Sequence, residues 1–191
     1  MASEPTYYWD ACMFYEVLND EPVSPEKKEA VNDILQLNID GKGDKDVIVT
    51  SVITHLEVLP KKLASKKAAD DDRKYLGMFD GKRFVDIEIS RNILTRAREI
   101  RDFYYRAADT KKNAKAKMMD AADALHLATA SLYGARVFHT RDDDDRGYKI
   151  PLVSLYKWSG FDKLCNKYPL AIVSPENDQK VMDLGTTPKA P

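Results

Sequence analysis

The stretch from Asp120 to Gly134, DAADALHLATASLYG, is apolar almost all round at helical spacing, and a helix of that kind is normally buried. Yet it carries Asp120, Asp123 and His126. A carboxylate taken into the interior costs free energy unless a cation or hydrogen-bond donors satisfy it. The chain must therefore cover one helix on most of its sides and supply a partner for its acid.

The rest of the sequence provides the covering layers. TYYW reads as a short strand ending at Asp10, and ACMFYEVLND follows with helical spacing through Met13, Val17 and Leu18. Ser24 and Pro25 open a second helix with Glu26 in its first turn and Val31, Ile34, Leu35 and Ile39 on its apolar face, and GKGD closes it. DVIVTS is a buried strand, followed by a helix with Val52, Leu56, Leu59 and Leu63 on one stripe and Pro60 kinking or shortening it. A charged helix around residues 66 to 79, a strand in DGKRFVDIEIS and a helix through Ile93, Ala97, Ile100 and Tyr104 come next. After the helix that ends at Gly134, ARVFHT is a fourth strand and RDDDDRG the turn beyond it. IPLVSL and LAIV read as edge strands, and SPENDQKVMDLGTTPKAP as a short helix with a frayed tail. Strands alternating with helices give an α/β domain whose largely parallel sheet is covered on both faces.

Bulk properties narrow the function classes. A length of 191 residues fits one domain, and 30 basic against 31 acidic residues argue against binding nucleic acid through bulk positive charge. Cys12 and Cys165 are too few and too far apart for a disulfide framework or a zinc site, and read as small buried apolar residues of a protein in a reducing cytosol. Without a long apolar run or a signal-peptide start, the expected location is cytoplasmic, with no membrane partner.

Open parallel sheets place ligands beyond the carboxyl ends of their strands, where strand order reverses. Asp10 follows the first strand, Thr140 and Asp142 follow the fourth, and Glu57 and Asp123 lie in helices that pack beside them. Each has an ordinary alternative: Asp10 as a helix cap, Glu57 as a residue snorkelling beside the core, Asp142 as one acid of an acidic turn, His126 as a packing histidine. Jointly, four acids on one rim repel each other without a counter-charge, and an all-oxygen set favours Mg²⁺ or Mn²⁺ over Zn²⁺. Such clusters typically act on phosphate esters.

The segments YYWDACMFYEVL, VTSVITHLEVL and DALHLATASLYGARVFHTRDDD, in that order over roughly residues 6 to 146, resemble the PIN-domain nucleases, of which many small members are VapC-type toxins. The resemblance implies a three-layer α/β/α fold with a mostly parallel central sheet, over residues 1–150, with 151–191 as a C-terminal extension packed on or trailing from it. It implies metal-binding acids at Asp10, Glu57, Asp123 and Asp142, with Thr140 the nearby hydroxyl, His126 and Arg141 in support, and Asp143, Asp144 or Asp145 sharing the last ligand's place. The implied activity is Mg²⁺- or Mn²⁺-dependent cleavage of RNA, with an antitoxin protein and a homodimer as expected partners. Lys61, Lys62, Arg141 and the lysines at 111, 112, 115 and 117 are the expected contacts to the RNA backbone. The alternatives are a non-catalytic metal- or partner-binding module on the same fold and a DNA-directed nuclease.

Overall fold

The computed structural model describes residues 7–18, 25–39, 47–59, 68–79, 83–109, 115–143, 147–155 and 163–177. Its centre is a five-stranded sheet, β1 (Tyr7–Trp9), β2 (Ile48–Ser51), β3 (Phe84–Ile87), β4 (Val137–His139) and β7 (Ala171–Val173), in the order β3-β2-β1-β4-β7. All four pairings are parallel. A separate two-stranded antiparallel ribbon joins β5 (Lys163–Leu164) and β6 (Tyr168–Pro169). Cys165 and Asn166 turn it with φ of 52° and 57°, the doubly left-handed conformation of a tight hairpin turn.

Alternation along the strands divides the core in two, as a sheet covered on both faces requires. Tyr7, Trp9, Ile48, Phe84, Val137, Ala171 and Val173 pack with α1 (Ala11–Leu18), α2 (Pro25–Ile39) and α4 (Ala68–Met78), through Phe14, Val31, Ile34 and Tyr75. Tyr8, Val49, Phe138 and Ile172 point the other way, onto α5 (Arg91–Tyr104) and α6 (Ala121–Leu132). The stripe of Ile93, Ala97 and Ile100 on α5 is buried as its spacing predicts, and α6 buries Ala124, Leu127, Ala128 and Ala130 beside the sheet. This is the expected three-layer α/β/α fold.

Two elements differ from the sequence reading. The helix after β2, α3 (Thr54–Glu57), lasts one turn, and Leu56 is 71% exposed rather than on a core stripe. Val58 leaves the helical conformation at ψ 91°, and the Tyr15 hydroxyl takes over its end, donating to the Glu57 carbonyl (2.7 Å) and accepting from Leu59 N–H (2.8 Å). IPLVSL forms a 3₁₀ turn at Leu152–Ser154 instead of a strand, because the Asp142 carboxylate accepts the Leu152 N–H (3.0 Å) and caps the turn. LAIV does supply an edge strand, β7. Pro60, Leu63, the GKGD segment and the chain beyond Asn177 lie outside the described residues. Among the described residues no helix is long and apolar enough to cross a membrane.

Candidate active site

The chain runs from β1 outward through β2 to β3, then returns to place β4 on the other side of β1. Strand order reverses between β1 and β4, the point beyond whose carboxyl ends open parallel sheets place their ligand crevice. Asp10 is the first residue after β1, and Thr140 and Asp142 are the first and third after β4. A hydrogen bond from Trp9 Nε1 to His139 Nδ1 (3.2 Å) joins neighbours in register and fixes the two strand ends together.

Asp10 does two things. Its Oδ1 accepts from Cys12 N–H (3.0 Å) and so starts α1, the capping role that its position allowed. Its carboxyl is also buried, beside Asp123 and Glu57, and burial pushes its pKa up from 3.8 to about 7 against the opposing pull of His126 and a hydrogen bond from Thr140. Thr140 explains the T-x-D spacing: besides serving Asp10, its hydroxyl oxygen accepts from Asp142 N–H (3.0 Å) and sets that acid's backbone.

In α6 the two aspartates separate by role. Asp120 is the exposed N-cap, accepting from Ala122 N–H (2.9 Å). Asp123, one turn on, is buried, and burial raises its pKa from 3.8 to about 6 while Lys149 pulls it down. The Lys149 ammonium lies 3.2 Å from Asp123 Oδ2 and 3.0 Å from Asp142 Oδ1, a cation between two carboxylates. The contact with Asp123 is one of charge without hydrogen-bond alignment, so Oδ2 is buried with no hydrogen-bond partner among the described residues. Sequence reasoning missed Lys149, although the change from exposed Tyr148 to buried Ile150 places it at the edge of the core.

Glu57 and His126 form a second group. His126 is buried and contacts Tyr8 Oη through Nδ1 (2.7 Å) and Glu57 Oε2 through Nε2 (2.6 Å). It packs against the sheet as a helix-packing histidine would, and it also holds Glu57. Cys12 stands close to the acids, and the charges of Asp10 foremost, then burial, hold its thiol protonated, well above the usual range. Arg141 is not turned to the crevice as a free cation. It grips Glu16 with Nε (2.7 Å) and Nη2 (2.9 Å), and Glu176 with Nη1. Asp143 is exposed, while Asp144, Asp145, Lys61, Lys62, Lys111 and Lys112 lie outside the described residues.

The acids suit a divalent ion in chemistry. They are oxygen donors, burial raises the pKa of two of them, and the buried Asp123 Oδ2 has only the charge contact with Lys149. As placed, no three His, Cys, Asp or Glu side chains among the described residues close around one point, and Lys149 supplies the counter-charge. Replacing Lys149 with Met is expected to destabilise the metal-free protein by about 1–3 kcal/mol at pH 8, where Asp123 and Asp142 would face each other uncompensated. The deficit should shrink at pH 5, below the Asp123 pKa of about 6, in urea unfolding at the two pH values. An equal loss at both would mean that the lysine acts through packing alone.

Residues 7–149 match the family model of the PIN domain. No curated protein matches the chain in sequence at a significant level. Among solved structures it is similar to Mycobacterium tuberculosis VapC20, a sarcin-ricin loop cleaving toxin, at 11% identity and a TM-score of 0.51 over 73% of this chain and 92% of that one. It is also similar to VapBC2 from Rickettsia felis bound to a promoter DNA fragment (18% identity, TM-score 0.49, 71% and 86%). A toxin-antitoxin complex from Klebsiella pneumoniae gives 21% identity and a TM-score of 0.46 over 76% and 100%.

Proposed function

The chain belongs to the PIN-domain family, and on that premise we propose that it is a divalent-metal-dependent endoribonuclease that hydrolyses RNA phosphodiester bonds. The observation that carries the reading is that Asp10 and Asp142 follow the two neighbouring strands at the point of strand reversal, with the charge of Asp123 acting on Asp10 and that of Asp142 on Asp123, and burial raising the pKa of Asp10 and Asp123. In this reading Asp10, Asp123 and Asp142, with Glu57 beside them, would hold Mg²⁺ or Mn²⁺. Such an ion, when bound, lowers the pKa of an attacking water and offsets charge building on the phosphate.

The chain's own residues prepare that chemistry. Thr140 holds Asp10 and the Asp142 backbone in one register, and His126 holds Glu57. Lys149 keeps the Asp123 and Asp142 carboxylates together while they await a stronger cation. Residues 1–150 would be the nuclease domain and 151–191 a C-terminal extension, and the pairing of β7 with β4 supports an extension packed on the domain over one trailing from it. The finer reading makes the protein the toxin of a toxin-antitoxin pair, with an antitoxin and a second copy of itself as partners. The likeness of fold to a sarcin-ricin loop cleaving toxin supports it.

A second reading, a binding module without catalysis, is favoured by one observation. Both carboxylate oxygens of Asp142 already have partners, Lys149 and the Leu152 N–H. The deciding experiment incubates the purified chain with labelled single-stranded RNA in Mn²⁺ or Mg²⁺, with and without chelator. The expected result is cleavage only when the ion is present. Cleavage untouched by chelator would remove the metal from the mechanism, and ion binding without cleavage would favour the module.

A further inference from the structure

The cation between Asp123 and Asp142 is part of the chain, and the fold holds it there by its backbone. Met118 N–H donates to the Tyr148 carbonyl (3.1 Å), and Met118 pairs with Lys149 in a parallel bridge. On the other side the next residue, Ile150, is 1% exposed. The main chain is thus fixed on both sides of Lys149, and what can move is a flexible four-carbon stem ending in an ammonium.

The seat that the ammonium takes is imperfect. Nζ donates to Asp142 Oδ1 (3.0 Å) but meets Asp123 Oδ2, at 3.2 Å, without hydrogen-bond alignment, and that oxygen has no hydrogen-bond partner among the described residues. The Lys149 side chain is 24% exposed and, with Asp120, lines a cavity of about 290 Å³, so the stem has room to swing without losing an acidic neighbour. Charge decides what can replace it. A sodium or potassium ion offers the same single charge without the tether, which keeps the ammonium at an effective concentration of roughly millimolar or above. A divalent ion doubles the attraction for both carboxylates and suits their oxygen donors.

We infer that Lys149 is a tethered competitor for the ion that the acids would hold: in the metal-free protein its ammonium fills the place between Asp123 and Asp142, and a divalent cation enters only by displacing it. This rests on the reading of these acids as metal ligands, and not on RNA as the substrate. The lysine thereby sets the ion concentration at which the acids are loaded and closes them to monovalent ions. Apparent affinity is lowered by the fraction of molecules competent to bind, so removing the competitor strengthens ion binding even though the metal-free fold loses a stabilising residue. A lysine with only a structural part predicts the opposite, since the acids it holds together would spread in its absence.

The test uses the whole chain without RNA. Mn²⁺ is titrated into the parent and into Lys149→Met, with free Mn²⁺ read by electron paramagnetic resonance. In parallel, acylation of Lys149 in the parent by an N-hydroxysuccinimide ester is followed by mass spectrometry in chelator, in Mn²⁺ and in NaCl. The expected result is Mn²⁺ binding tighter by about tenfold or more in Lys149→Met, abolished when Asp123→Asn is added. Acylation of Lys149 should rise severalfold with Mn²⁺ and stay level in NaCl. That arm needs no variant, so it decides the question even where Lys149→Met folds poorly. Equal or weaker Mn²⁺ binding by a folded Lys149→Met, no Mn²⁺ bound by either protein, or acylation that Mn²⁺ leaves unmoved or NaCl raises equally would overturn the inference. Displacement of the lysine by Mn²⁺ in a protein that cuts no RNA would sink the nuclease reading and leave the competitor in place. Chelator-sensitive cleavage with Lys149 acylation unmoved would do the reverse.

Discussion

Asp10→Asn is expected to abolish RNA cleavage and, in metal-free buffer at pH 8, to yield a protein more stable than its parent. The loss of activity should exceed the roughly 100-fold that removal of an outer partner costs a metal site. The gain in stability follows from burial. The Asp10 carboxyl has its pKa raised from 3.8 to about 7 in the folded protein, so between those values the folded state binds more protons than the unfolded one. Stability associated with this group is present at low pH, falls as pH rises from about 4 to about 7, and is gone above that. Three units correspond to about 4 kcal/mol as an upper limit, and a neutral Asn that keeps the oxygen accepting from Cys12 N–H should recover about 1–3 kcal/mol of it. Urea unfolding at pH 5 and pH 8 checks this: the advantage of the variant over the parent should be smaller at the lower pH. Mn²⁺ should raise the parent's stability by mass action and leave the variant nearly unchanged. A variant less stable than the parent at pH 8 would show that Asp10 serves only as the α1 cap.

The largest purely structural effect is expected at Arg141. Its guanidinium grips both carboxylate oxygens of Glu16 on α1, at 2.7 and 2.9 Å, and Glu176 after β7, so one side chain ties the end of β4 to two other elements. The Glu16 side chain is only 7% exposed. Arg141→Ala leaves it as an uncompensated buried charge, and the expected loss is about 3 kcal/mol, toward the lower end of what breaking a buried pair costs. Adding Glu16→Gln should recover a large part, because most of the loss is the stranded carboxylate and not the missing attraction. The pair is shielded from solvent, so the loss should persist at high salt. Urea unfolding of the two single variants and the double variant measures the coupling. A single variant within 1 kcal/mol of the parent, a value at which surface ion pairs lie, would remove Arg141 from the framework.

How far the sequence foretold these sites depends on whether their causes were local. Asp10 and Asp123 were legible because each stands out against its own neighbours: one ends an aromatic strand, the other interrupts an apolar helix. The alternation of elements likewise gave the layers, since strand and helix periods are written in adjacent residues. What was not legible came from contacts distant in the chain. Leu56 and Leu59 keep helical spacing, but Tyr15, more than forty positions earlier, ends α3 before their stripe reaches the core. The 3₁₀ turn at Leu152–Ser154 is set by Asp142 across ten positions. Arg141 read as a free cation because nothing near it in sequence announces Glu16 or Glu176. Lys149 is an ordinary residue of an ordinary turn until the bridge to Met118 carries it to the acids.

The placing of β7 has a consequence for how the protein is made. Thr140 N–H is held by the Val173 carbonyl (3.2 Å), and Arg141 by Glu176, 35 positions later. A nascent chain whose first 142 residues have emerged from the ribosome contains Asp10, Glu57, Asp123 and Asp142, yet lacks both fastenings for the segment that carries the last of them. At roughly 5–20 residues per second, several seconds separate the appearance of the acids from the appearance of what sets them in place. Assembly of the crevice is thereby deferred until β7 and Glu176 have themselves been made.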